Sequence, residues 1–218
     1  MGNMLDVGCG YGQSLVLWED YFRDGALAEN IVGVNYGPDE VALARETTLR
    51  DHENIKLIQG DACDADLYTK LRNDHGSFDL AVSIDAAYHF NPSRACFFQN
   101  VFPLLQPDGG ALAMVDIVMD QPPSSFGVLK QFWFYVICWA AGVPPANFAM
   151  TITDYKESLH AAGFVDVSVF DITEFVFPGF VWHTANQRIS HEVAWTGKFI
   201  ESAAAFLDLR FVIATARR

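Results

Sequence analysis

Two short stretches place residue types at spacings that suit chemistry. LDVGCGYG, residues 5–12, sets Gly8, Gly10 and Gly12 at alternate positions directly after an apolar run. Glycine permits tight turning and close backbone approach, and a strand that feeds such a loop into a helix receives nucleotide-like ligands in parallel α/β sheets. The spacing is GxGxG. A dinucleotide fingerprint, GxGxxG, needs its third glycine at position 13, which is Gln. SIDAAYHF, residues 83–90, puts Asp85 four residues before His89. On a helical turn the two would share a face. A histidine titrates near neutrality and can take a proton that a neighbouring carboxylate helps to orient.

The elements that must position these residues alternate along the first 117 residues. MLDV, ENIVGVN, NIKLIQ, FDLAVSI and GALAMVDI are rich in Val, Ile and Leu and read as buried parallel strands. Helical patterns fall between them at 14–22, 38–51, 66–73 and 93–105. Pro38 suits a first helical turn, with Asp39 and Glu40 favourable at the positive end of the helix dipole. Asn91 before Pro92 marks another helix start. The rhythm then breaks into a Pro- and aromatic-rich stretch that lasts until a helix capped around Thr153 and stopped by Gly163. VDVSVF and FVIATA read as the last two strands. The expected fold is α/β, a doubly wound and mostly parallel seven-stranded sheet in a single domain over 1–218, with insertions at 118–152 and 171–210.

Composition narrows the partners. The 218 residues carry 14 Lys and Arg against 27 Asp and Glu, a formal charge of −13, with no basic cluster. Binding to a phosphate backbone is therefore not expected. Cys9, Cys63, Cys96 and Cys138 lie too far apart for metal or redox motifs, so no metal site is expected and the thiols read as reduced, in a cytoplasmic setting. The N-terminal residues have no signal-peptide pattern. The longest apolar run, 132–143, is about half of the ~20 residues that cross a bilayer. The scarcity of flanking cations argues against a membrane-surface role for it.

The order of these motifs resembles the class I S-adenosylmethionine-dependent methyltransferases, with a Rossmann-like sheet. DVGCGYG is similar to that family's first motif, GVNYGPDE follows the second strand, GDACD the third, SIDAAYHF the fourth, and LLQPDGGALAMVDI surrounds the fifth. Within the family the chain looks most like the small-molecule branch of sterol, tocopherol and coclaurine methyltransferases and cyclopropane fatty acid synthases. The resemblance implies S-adenosyl-L-methionine as cofactor. It places Asp6 and the run Gly8, Cys9, Gly10 around the methionine moiety, with Gly12 completing the loop, and Asn35 and Tyr36 at the ribose. Most relatives have an acid at the position of Asn35, so Glu40, five residues on, is a second candidate for a ribose hydroxyl. Asp61 and Ala62 fall where the family meets adenine, and Ser83 ends the fourth strand beside the cofactor.

Methyl transfer from a sulfonium asks the protein mainly to align nucleophile and methyl at about 3–3.5 Å, with proton transfer where the nucleophile carries a proton. The resemblance puts His89 and Asp85 beside the expected methyl group as that acid–base pair. His89 read without it is a residue that caps a helix or lines the pocket. The other histidines read as surface residues, except His183 in FPGFVWH, expected over the carboxyl edge of the sheet. Trp133, Trp139, Trp182 and Trp195, with Phe175, Phe177 and Phe180, fall in the insertions. They either pack an accessory core or wall an apolar acceptor pocket, and the two are compatible. The chain starts almost on its first strand, where relatives usually have N-terminal helices. The insertions then act as the lid, or the sequence is a truncated form. A small, largely apolar acceptor at oxygen, nitrogen or carbon is the expected substrate. A cofactor-binding but silent partner protein and, further off, a nicotinamide-dependent oxidoreductase are the rivals.

Overall fold

A computed structural model describes residues 2–23, 28–186 and 201–218. Seven strands form one sheet: β1 (Gly2–Val7), β2 (Ala28–Asn35), β3 (Ile55–Gln59), β4 (Leu80–Ile84), β5 (Ala111–Met119), β6 (Val165–Asp171) and β7 (Leu209–Arg217). Their order is β3-β2-β1-β4-β5-β7-β6. β1 to β5 pair in parallel, and β7 runs antiparallel to both β5 and β6. This is the mostly parallel, doubly wound sheet that the strand pattern predicts. Its central strands are buried on both faces: Met4 to Val7 are all buried, as are Ala81 to Ser83.

Helices cover both faces. α1 (Gln13–Arg23) and α2 (Pro38–Glu46) pack Leu15, Val41 and Ala44 with Cys9, Ile31 and Leu57 on one side. α3 (Ala65–His75), α4 (Arg94–Leu104) and a later helix over Ile152–Ala161 bury Leu71, Phe97, Phe98, Tyr155 and Leu159 against Leu5, Phe78 and Leu112 on the other. Local chemistry sets the ends. Asp64 caps α3 by accepting from the Asp66 N–H at 3.0 Å. Gly163, at φ +109°, stops the 152–161 helix.

Several boundaries differ from expectation. α2 ends at Glu46 rather than 51, where Thr47 bonds back to Leu43. α4 starts after Ser93, not at Asn91. The helix expected to be capped near Thr153 is capped by Thr151, whose hydroxyl accepts from the Asp154 N–H while the Asp154 carboxylate accepts from the Thr151 N–H, a reciprocal capping box.

The Pro- and aromatic-rich stretch is itself helical. It holds α5 (Val128–Ala141) and the short α6 (Pro145–Phe148), so the 152–161 helix is α7. α5 closes on Gly142 in the left-handed conformation, φ +63°. Its Phe134 and Cys138, with Val143 and Phe148, form a satellite core with Ile117, Met119, Leu207 and Phe211. The segment after β6 holds α8 (Thr173–Asn186) and a helical stretch at 201–207. Trp195 and the side chains of Phe177, Phe180 and His183 lie outside the described residues. No helix among the described residues is long and apolar enough to cross a membrane.

Candidate functional site

A cleft of about 390 Å³ opens where the carboxyl ends of β1 to β4 meet. The strand order reverses between β1 and β4, and the crevice at such a switch point is where open α/β sheets take ligands. Four loops supply the wall: Val7 and Gly8 after β1, Val34 to Tyr36 at the end of β2, Gly60 to Ala62 after β3, and Asp85, Ala86 and His89 to Asn91 after β4. Glu40 reaches in from α2. Eight residues singled out by sequence thus meet in one place: Gly8, Asn35, Tyr36, Glu40, Asp61, Ala62, Asp85 and His89.

Main-chain bonds shape the glycine loop. Gly8 and Cys9 both donate to the Val34 carbonyl, at 2.8 and 3.3 Å, and Gly12 donates to Cys9 at 2.9 Å. Gly8 needs to be glycine: its φ is +85°, and a Cβ there would lie 2.4 Å from the Ala86 Cβ. That contact seats the β1 loop directly against the β4 loop. The Gly10 N–H donates to the Asn35 side-chain oxygen at 3.1 Å, and the Asn35 amide nitrogen donates to Glu40 at 2.6 Å. An aspartate at 35 would repel Glu40, whereas Asn35 satisfies the glycine loop and the glutamate together. Asp61 accepts from the Cys63 N–H at 2.8 Å, which pins its carboxylate at the start of the β3 loop.

Besides Gly10, four other expected residues sit off the cleft wall. Cys9 turns into the core, its Sγ 3.6 Å from the Val34 carbonyl, and burial pushes its thiol up to about 12. Gly12 packs on Leu49 rather than facing a ligand. Ser83 is fully buried, and its hydroxyl finds no hydrogen-bond partner among the described residues. Asp6 is buried under the glycine loop, where the Trp18 indole N–H donates to it at 3.1 Å. Burial pushes its carboxyl up to about 6, with bonds from Ser14 and Trp18 acting against that rise.

The β4 loop carries the candidate acid–base pair. Asp85 and His89 do not share a helical face, because Asp85 adopts φ +54° ahead of a single 3-10 turn over Ala87–His89. Both still line the cleft. Burial raises the Asp85 carboxyl, while a hydrogen bond from the Tyr88 hydroxyl opposes this; burial first, and then the Asp85 carboxylate, raises the Tyr88 phenol in turn. The Tyr88 and His89 rings lie 4.5 Å apart. Sequence reasoning passed over Tyr88, Phe90 and Asn91. It also passed over Asn147 of α6, which donates to the Tyr88 and Phe90 carbonyls at 3.0 and 2.7 Å. No local motif marks Asn147, since those partners are 59 and 57 residues away.

Behind the loop, Arg94 and Asp116 form a fully buried ion pair at 2.8 Å, with the Tyr155 hydroxyl donating to Asp116 at 3.0 Å. Burial raises the Asp116 carboxyl, and the Arg94 guanidinium works against that. None of the described insertion aromatics lines the cleft. Phe134 and Phe148 pack the satellite core, whereas Trp133, Tyr135, Trp139, Phe175 and Trp182 are exposed.

The charges around the cleft are one-sided. Glu40, Asp61 and Asp85 face it, and no Lys or Arg is among its described lining residues. Such a wall suits a neutral or cationic ligand and disfavours a pyrophosphate.

Residues 4–109 match the family described as methyltransferase domain. The chain is 29% identical over 106 residues to a tetracenomycin-C rhamnosyl 3'-O-methyltransferase of Streptomyces olivaceus, covering 49% of this chain and 23% of that one. It is 31% identical over 98 residues to the mycinamicin VI 2''-O-methyltransferase of Micromonospora griseorubida, covering 45% and 21%. The chain thus spans under a quarter of the length of these curated relatives. Among solved structures, Haemonchus contortus phosphoethanolamine N-methyltransferase 2 superposes with a TM-score of 0.74 at 16% identity, covering 100% of this chain and 48% of that one. Geranyl diphosphate C-methyltransferase of Streptomyces coelicolor A3(2) superposes at 0.70 and 15%, covering 100% and 73%. At such identities the likeness is one of fold.

Proposed function

We propose that this chain, whose residues 4–109 match the methyltransferase-domain family, is a class I S-adenosylmethionine-dependent methyltransferase that transfers a methyl group from S-adenosyl-L-methionine to a small, largely apolar acceptor at oxygen, nitrogen or carbon. The observation that carries this reading is the switch-point cleft walled by three carboxylates and no cation among its described residues. A sulfonium nucleoside is cationic at sulfur and ammonium, and this wall favours it over a nicotinamide dinucleotide. The named relatives act on small molecules, which supports the acceptor class.

The cofactor, when bound, supplies a methyl group already activated by a positively charged sulfur. What remains for this chain is to hold, orient and exclude water. The glycine loop at Gly8 to Gly10, lacking side chains at its two ends, would let the main chain come close to the methionine end. Glu40, oriented by Asn35, accepts from ribose hydroxyls, and Asp61 accepts from the adenine amine. His89 faces the reacting end of the cleft, where its ring takes the proton of a hydroxyl or ammonium acceptor. Asp85 and the Tyr88 hydroxyl form the polar group that orients it. The test is product mass after incubation with S-adenosylmethionine and a panel of lipophilic phenols, amines and sterols. An acceptor gaining one methyl, at a rate that falls in His89→Ala at saturating cofactor, is the expected result. A full panel with no methylated product favours a silent partner protein instead.

A further inference from the structure

We infer that Asn147 is the positioning residue for the loop that presents Asp85 and His89, and that α6 serves the site as the clamp on this loop. The β4 loop holds little of its own shape. Within Ala86–Phe90 its main-chain bonds are the two of one 3-10 turn, His89 N–H to Ala86 and Phe90 N–H to Ala87, at 3.0 and 3.1 Å. Such short-ring bonds have poor geometry. Asn147 supplies what they lack. Its side chain is fully buried, and its amide nitrogen donates both hydrogens to the loop, at 3.0 Å to the Tyr88 carbonyl and 2.7 Å to the Phe90 carbonyl. These two carbonyls bracket His89.

The other end of Asn147 is tied to the sheet. Its side-chain oxygen accepts from the Arg94 N–H at 2.9 Å, and its main-chain carbonyl accepts from the Arg94 guanidinium at 2.6 Å. That guanidinium also donates to Asp116 at 2.8 Å and to the Ile117 carbonyl at 3.0 Å, both on β5. A chain of bonds therefore runs from β5 through Arg94 and Asn147 to the backbone on both sides of His89. Phe148, the next residue, lays its ring 6.0 Å from that of Tyr88, whose hydroxyl bonds Asp85. A buried polar network of this kind, with only the Arg94 Nε left without a partner among the described residues, favours one loop geometry. The catalytic meaning of the inference rests on the proposed function, but the tether itself is a property of the free protein.

Asn147→Asp separates the two ends: a carboxylate still accepts from Arg94 but has no hydrogen for the loop carbonyls. Asn147→Ser is the milder companion. The probe is the ring ¹H–¹³C spectrum of protein labelled in its 6 histidines, with His89 assigned by the peak lost in His89→Gln, together with amide hydrogen exchange. In both variants the His89 peak is expected to move or broaden while histidines remote from the loop keep their positions, and the His89 and Phe90 amides exchange about tenfold faster or more, with β4 and β5 amides unchanged. An unmoved His89 peak with wild-type exchange at 89 and 90 overturns the inference. So does global unfolding in both variants, because the tether is then part of the core rather than a local clamp. Titrating wild-type protein with S-adenosylhomocysteine alongside tells the two ideas apart: failure there counts against the methyltransferase reading and leaves the tether result standing.

Discussion

The loops after β1, β2 and β3 and the loop after β4 line the same cleft, but they are held differently. The first three are fixed by bonds among themselves: Gly8 and Cys9 to Val34, Gly10 to Asn35, Gly60 to Asn35, and Cys63 to Asp61. Their partners sit on neighbouring strand ends, so forming the sheet forms that side of the site. The β4 loop instead borrows its support from Asn147 on α6, far along the chain, which Arg94 ties to Asp116 on β5. The side proposed to hold the cofactor is built by topology, and the side proposed to face the acceptor by a buried polar network that single substitutions can break.

The comparison is tested hardest by Arg94→Met. It leaves Asp116 buried without its cation and the Asn147 carbonyl without a donor, and loss of one partner of a buried pair costs about 3–5 kcal/mol. Denaturant unfolding should show this loss. A variant as stable as wild type would mean that the network does not hold the acceptor side. Gly8→Ala strikes the seam between the two sides, with a strained φ of +85° and a Cβ 2.4 Å from Ala86. Strain and overpacking together are expected to cost roughly 3 kcal/mol, with cofactor affinity falling in calorimetry.

Asp6 offers a pH test of the cofactor side. Its folded pKa of about 6 lies above the ordinary 3.8, so the native state binds the proton more tightly than the unfolded chain does. The stability this contributes is present below the unfolded value and is lost as pH rises through about 6. The loss approaches roughly 3 kcal/mol. Unfolding of wild type and Asp6→Asn across pH 4 to 7 should give curves whose difference has that slope, and parallel curves would show that Asp6 does not titrate there. The smallest effect belongs to Trp139→Ser. The residue is 84% exposed on α5 and off the cleft, so unfolding should change by no more than about 0.5 kcal/mol.

The same division explains what the sequence made legible. Gly8, Asn35, Asp61, Asp85 and His89 stand at strand ends, and once the strands are read in order their meeting follows from the fold. Side-chain direction was harder. Cys9 belongs to the glycine motif yet points into the core, and Ser83 ends in the sheet rather than the cleft. α5 hid because apolar residues surround it: Leu129, Phe132, Trp133 and Tyr135 are exposed while Phe134 and Cys138 are buried, so no apolar stripe marks a helix. Asn147 was not legible at all, since a single Asn in PPANF signals a turn, and its role exists only once α6 has packed against the β4 loop.

The most direct measurement is an amide chemical-shift map of the protein titrated with S-adenosylhomocysteine. Saturable shifts are expected below millimolar ligand, largest at Gly8, Gly10, Asn35 and Asp61, with smaller ones at Asp85 and His89. Absence of shifts at millimolar ligand, or shifts away from the carboxyl ends of β1 to β4, would contradict the proposed site.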